Sequence, residues 1–193
     1  MRIAVIGATG NLGGAVAREA STRGHQVTAL SSTDLDVRDP LQIHRSTAGH
    51  DAVVVSVKGG DGLVSRAAAA LVEAHVARLL FIGGGGSLLD PSGRRYVDAP
   101  HFPAQYKQTT LDQAAALRIL VEGGNGIAWS YLSPPPVHLV PGDRTGRYRA
   151  EARDTPITDE RGESRITVAD FAAAAVDALE QHTFVRQRFT VAY

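Results

Sequence analysis

The chain has 193 residues, a formal net charge of zero at pH 7 and 44% hydrophobic residues. That length suits one compact domain over residues 1–193 with a small C-terminal elaboration, and the charge balance offers no basic footprint for nucleic acid. With no cysteine, disulfides, thiolate nucleophiles, iron–sulfur clusters and cysteine zinc sites are excluded, and a reducing cytoplasm is the expected location. The histidines are scattered, without HExxH or an i, i+4 pair, so no metal site is expected. The first apolar run, IAVI, is too short for a signal-peptide core or a membrane span. Only Lys58 and Lys107 are lysines, so either stands out if it falls in a site.

RIAVIG is a short β-branched run ending in glycine, a buried-strand signal. NLGGAVAREASTRG follows with helical spacing at Leu12, Val16 and Ala20 and closes on Gly24. QVTALS reads as a second strand, and TDLDV beyond it as a short edge strand. DPLQIHRSTAG predicts a helix with Asp39 as N-cap and Pro40 in its first turn. DAVVVSV is a strand, GLVSRAAAALVEAHV a helix and RLLFIGGGG a fourth strand. This alternation predicts an α/β fold, a doubly wound parallel sheet covered on both faces. After Gly86 a polar loop leads to the helix YKQTTLDQAAALRILVEG, the strand GIAWSYLS and the breaker PPP. GDRTG reads as a turn or hairpin, ITVADFAAAAVDALEQH as a late helix starting near Thr167 or Asp170, and RQRFTVAY as a final strand.

GATGNLGG, residues 7–14, has glycines spaced GxxGxxG between a strand and a helix. Gly7 permits a tight turn, Gly10 lets backbone approach a pyrophosphate, and Gly13 lets the helix pack close. The helix N-terminus then offers free amides and the positive end of its dipole. Gly7, Thr9, Gly10, Asn11, Leu12 and Gly13 are therefore expected to bind the cofactor, NADP or NAD. A carboxylate at the end of the second strand would favour NAD. Here that strand ends Leu30-Ser31-Ser32-Thr33, and Asp34 serves only if the strand runs longer. Ser31 and Ser32 could hydrogen-bond a 2′-phosphate, so the expectation leans slightly to NADP. Asp36 and Val37 fall where a short strand would end near the adenine, and Asp36 reads equally as a loop aspartate.

With both halves in view, the chain resembles the atypical short-chain dehydrogenase/reductase superfamily. More narrowly it is similar to an NAD(P)H-binding group that includes NADH-flavin reductases linked to Rrf2-type regulators and the biliverdin reductase B/flavin reductase type. IAVIGATGNLGG carries the general likeness; RLLFIGGGGSLLDPSG, FPAQYK, YLSPPPV, GDRTGRYR, ESRITVADFAAAAVDALE and RQRFTVAY carry the narrower one. The resemblance implies a Rossmann-like fold, a nicotinamide cofactor, and reduction of FMN, FAD or a similar planar small-molecule acceptor. Members of the group usually carry an arginine soon after the second strand, where this chain has Ser31 and Ser32. They often read GGAGS where it has GGGGS.

The same likeness places Ser87 as a substrate-facing hydroxyl, Tyr106 near the superfamily tyrosine, and Pro134 beside the nicotinamide carboxamide. Gly83 and Gly84 follow a strand and leave room for a ring against backbone. Ser87 also reads as a capping serine, Tyr106 as packing at a helix start, and His138 as a solvated loop residue facing the acceptor or water. Trp129 and Tyr131 alternate on a strand and read as core. The arginines of RTGRYR read as an exposed hairpin or as contacts to an acceptor phosphate. In carbonyl reductases of this superfamily a lysine follows the tyrosine by four positions and lowers its pKa. Here that position is Thr110. Hydride transfer to a ketone wants such an acid, whereas a flavin delocalises the charge it receives. A flavin reductase is therefore the first reading. A non-catalytic redox sensor of the NmrA-like kind is the second, and a sugar-nucleotide epimerase or dehydratase the third.

Overall fold

The computed structural model describes residues 1–136 and 138–193, with His138 described by its main chain alone. The apolar runs become strands: β1 (Arg2–Ile6), β2 (Gln26–Leu30), β3 (Ala52–Val55), β4 (Arg78–Ile82) and β5 (Ala128–Ser133). Three short strands follow, β6 (His138–Val140), β7 (Arg149–Glu151) and β8 (Arg165–Thr167), and then β9 (Gln187–Ala192). The helices are α1 (Asn11–Thr22), α2 (Pro40–Thr47), α3 (Leu63–Glu73), α4 (Ala104–Gly123) and α5 (Val168–Glu180). One seven-stranded sheet runs β2-β1-β3-β4-β5-β9-β7, all parallel except β7, which is antiparallel to β9. β6 and β8 pair separately as a parallel two-stranded ribbon.

β1, β3 and β4 are buried on both faces because helices cover both. One core layer sets Val53, Leu71, Phe81, Leu120, Trp129 and Tyr131 beneath α3 and α4. The other sets Val5, Val54, Leu132, Phe171, Val176 and Phe189 beneath α1 and α5. The register of β5 follows from this. Trp129 and Tyr131 face α3 and α4, while Leu132 faces the opposite layer, so a one-residue slip would exchange them. Tyr131 stacks on Phe81 with centroids 5.7 Å apart, and burial pushes its phenol up to about 12.

Local signals held where the chain alone decides. Asp39 accepts from the Leu41 and Gln42 amides and caps α2. Gly24, at φ +84°, ends α1. The expected edge strand at TDLDV is not there. Residues 31–39 form turns, and β2 is itself the edge, with only Val27 and Leu30 partly buried. GDRTG is no hairpin either. Asp170 of α5, fully buried, accepts from the Thr145 and Gly146 amides, the Thr145 hydroxyl at 2.6 Å and the Tyr193 hydroxyl at 2.7 Å. The loop is wrapped around a carboxylate. Arg144 meanwhile pairs with Glu19 on α1, and Arg149 donates to the Thr158 and Tyr193 carbonyls.

Burial raises the Asp170 pKa, but the hydrogen bonds from Thr145, Tyr193 and Gly146 outweigh it and leave the pKa below its ordinary value. A depressed carboxylate stabilises the fold above the unfolded-state pKa, and that contribution is lost as pH falls through the folded value. Asp170→Asn should therefore cost about 2–4 kcal/mol at pH 7, from stranded donors and lost charge-assisted bonds. The gap to wild type should shrink below about pH 4. Urea unfolding at both pH values tests this, and an unchanged midpoint at pH 7 would refute the account.

Candidate active site

The glycine turn leaves β1 and enters α1 by three close passages of main chain. Gly7 sits at φ +87°, and a Cβ on it would meet the Ser56 carbonyl oxygen at 2.1 Å. A Cβ on Gly13 would meet the Gly7 carbonyl oxygen at 2.3 Å. Gly10 is exposed, with 3.3 Å from that position to the Gly7 oxygen, so its face is open to a ligand. The Gly7 and Ala8 amides are spent on the Leu30 carbonyl, and the first helical bond runs from Gly14 to Gly10. Among the described residues, the Asn11, Leu12 and Gly13 amides have no acceptor. Three free amides at the start of a twelve-residue helix fit a diphosphate.

Two cavities adjoin this turn along the carboxyl ends of the strands, and a third joins them through Lys58 and Gln113. The first, about 290 Å³, is walled by Gly7, Thr9, Gly10, Ser31, Ser32 and Val37, with Leu35 and Leu63 adding apolar surface. The second, about 220 Å³, is bounded by Asn11, Leu12, Gly83 and Gln113. The third, about 510 Å³, is bounded by Gly86, Phe102, Tyr106, Thr110, Gln113 and Pro136. Lys58 lines all three and is their only Lys, Arg, Asp or Glu among the described residues. The cavities thus form one groove with a single fixed charge at its junction.

Lys58 rides the loop between β3 and α3, whose N-cap, Gly62 at φ +72°, has no side chain. Asp112 of α4 does the capping instead, accepting from Val64 at 2.8 Å and Ser65 at 3.1 Å. A helix neighbour thereby fixes the lysine loop.

The expected site residues divide. Gly7, Thr9, Gly10, Asn11, Leu12, Ser31, Ser32, Val37, Gly83 and Tyr106 line the groove. Gly13 lies behind it as a packing contact. Tyr106 is half exposed on α4, so it is not a packing residue. Asp36 turns to Arg38, whose guanidinium grips both its oxygens and holds its carboxyl down at about 2. Asp34 folds back through a turn, not along a longer strand, and accepts from the Ser31 amide and hydroxyl, each at 2.7 Å. Those bonds depress its pKa.

The glycine run after β4 is filled by the protein itself. A Cβ on Gly83 would meet the Tyr131 hydroxyl at 2.1 Å, on Gly84 the Gln113 side chain at 2.0 Å, and on Gly85 the Pro134 carbonyl at 2.5 Å. Gly84 and Pro134 are buried under their neighbours, and Pro136 faces the groove in their place. Ser87 is buried too. Its hydroxyl accepts from Arg188 at 2.8 Å and its carbonyl from the same guanidinium at 3.1 Å. It opens on a separate cavity, away from Lys58. His138's side chain lies outside the described residues. Gln113, Phe102 and Pro136 were missed, because no local pattern says which side of a helix or loop faces a groove. For Lys58 the scarcity of lysine was the only signal.

Residues 7–180 match the NAD(P)H-binding family. Three solved structures are similar over the whole chain. A candidate exported protein from Burkholderia pseudomallei shares 39% identity at TM-score 0.89 and is covered over 100% of its length. A candidate NADH-flavin reductase from Streptococcus pneumoniae shares 28% at 0.85, covered over 99%. A candidate epimerase from Bacteroides thetaiotaomicron shares 30% at 0.87, covered over 96%. No helix among the described residues is long and apolar enough to cross a membrane.

Gly13→Ala should weaken dinucleotide binding by at least tenfold, because its Cβ displaces the turn, and should cost about 1–3 kcal/mol of stability. Gly24→Ala is the control: it is strained at φ +84° but has open space around it, so it should lose about 1 kcal/mol and bind normally. Titration calorimetry distinguishes the two. Equal affinities would mean that the turn does not hold the dinucleotide.

Proposed function

The chain belongs to the NAD(P)H-binding family, and on that footing we propose that it oxidises a reduced nicotinamide dinucleotide with a flavin or similar planar acceptor. The observation that carries this is the groove: three joined cavities at the strand ends, with Lys58 as their only fixed charge among the described residues. The free amides of Asn11, Leu12 and Gly13 would hold the diphosphate, and Leu35, Val37 and Leu63 would flank the adenine. When bound, the reduced nicotinamide supplies hydride. Phe102 and Pro136 offer flat, mostly apolar surfaces to a planar acceptor. Lys58 offsets the negative charge that the acceptor gains. Tyr106 has no lysine one turn along α4 and carries no proton relay, which suits an acceptor that delocalises charge.

Ser31 argues for NADH, against the slight lean of its sequence context. Its hydroxyl is committed to Asp34, so a 2′-phosphate would meet a carboxylate where an arginine would be needed, while ribose hydroxyls find an acceptor there. Residence in the cytoplasm, where the reduced dinucleotide is supplied, is part of the proposal. The candidate epimerase among the similar structures favours no rival reading here, because epimerases of this superfamily want the spaced tyrosine and lysine.

The test is loss of reduced-nicotinamide absorbance with FMN as acceptor. NADH should be preferred over NADPH by about tenfold or more in kcat/KM, roughly 1.4 kcal/mol. Lys58→Met should lower kcat/KM by at least tenfold, and Tyr106→Phe should stay within about threefold. Tight dinucleotide binding with no turnover on FMN, FAD, quinones or simple carbonyls would replace this reading with a sensor.

A further inference from the structure

Ser87, expected at the acceptor, instead opens with Arg188 on a cavity of about 510 Å³ against a different face of α4. Nine of the described residues line it, three of them arginine and none acidic. The three guanidiniums are unequally compensated. Arg95 is paired with Asp98 at 2.6 Å. Arg188, with 7% of its side chain exposed, reaches one carboxylate, Asp154, at 3.5 Å, and that group is 68% exposed. Arg118 is exposed and makes no hydrogen bond or ion pair among the described residues. The α4 face that carries Arg118 is otherwise apolar in this cavity: Leu111, Ala114, Ala115 and Val121, the last 57% exposed. A desolvated cation and a free one lining one cavity with hydrocarbon are complementary to a carboxylate on an apolar body.

We propose that this cavity binds an organic carboxylate, with Arg118 and Arg188 taking the anion and the outer face of α4 taking the apolar body. The site is not an isolated pocket. Arg188 also donates to the Ser133 hydroxyl at 2.9 Å, so one guanidinium joins the segment after β4 to the end of β5, where the next segment begins. Those segments, through Gly85, Gly86 and Pro136, wall the acceptor end of the groove. An anion on Arg188 therefore bears on the loops around the acceptor. The inference does not rest on the reductase reading, because binding is read without turnover.

The probe is sodium octanoate, titrated into the full chain by calorimetry, with inorganic phosphate as the anion lacking an apolar body. One octanoate per chain is expected. Affinity should fall at least tenfold in Arg118→Gln while dinucleotide binding is unchanged, and hydrogen exchange at residues 83–88 should slow on binding. Arg188→Lys keeps the charge but loses the two-loop grip. It should still bind octanoate weakly without slowing that exchange. The proposal is overturned if octanoate does not bind, if Arg118→Gln binds it as tightly as wild type, or if phosphate binds equally well. Self-association through α4 in place of octanoate binding overturns it as well.

Discussion

Where the strand order reverses, between β1 and β3, three stretches of main chain meet with no side chain between them. Gly13 lies over the Gly7 carbonyl, and Gly7 lies over the Ser56 carbonyl. That contact sets the entry angle of α1, and so the direction in which the Asn11, Leu12 and Gly13 amides point. It also brings the end of β3, and with it Lys58, against the phosphate end of the groove. A methyl group on Gly7 would push the ends of β1 and β3 apart, and one on Gly13 would lift α1 off the turn.

The far end of the groove obeys the same constraint with different fillers. Bare backbone after β4 admits Tyr131, Gln113, Pro134 and Thr110, so α4 and the segment after β5 close in tightly. The space expected for a cofactor ring is taken by the protein's own side chains, and the opening shifts outward to Phe102, Tyr106 and Pro136. α4 serves both ends, since Asp112 caps α3 and thereby steadies the lysine loop.

Buried charge is handled in three ways. Asp170 is surrounded by donors and its ionised form is favoured. Arg78 is surrounded by acceptors alone, the Ala128 carbonyl and Ser130 hydroxyl at 2.9 Å among them, and burial pulls its pKa down. It ties β4 to β5 and, through the Ala178 carbonyl, to α5. Arg188 has neutral partners and one loose carboxylate, and unlike Arg78 it stands beside an open cavity.

The sequence by itself determined the alternation of strands and helices, the glycine turn, the Asp39 cap and the inward faces of Trp129 and Tyr131. These depend on period, φ and nearest neighbours, which a chain carries locally. Only the tertiary structure decided that Asp34 folds back on Ser31, that Ser87 belongs to Arg188, that Lys58 stands at the junction of three cavities, and that GDRTG wraps Asp170. Each joins groups through a turn or across elements up to a hundred residues apart. Burial and hydrogen-bond satisfaction choose such partners, and neither is written in the spacing of residues along one segment.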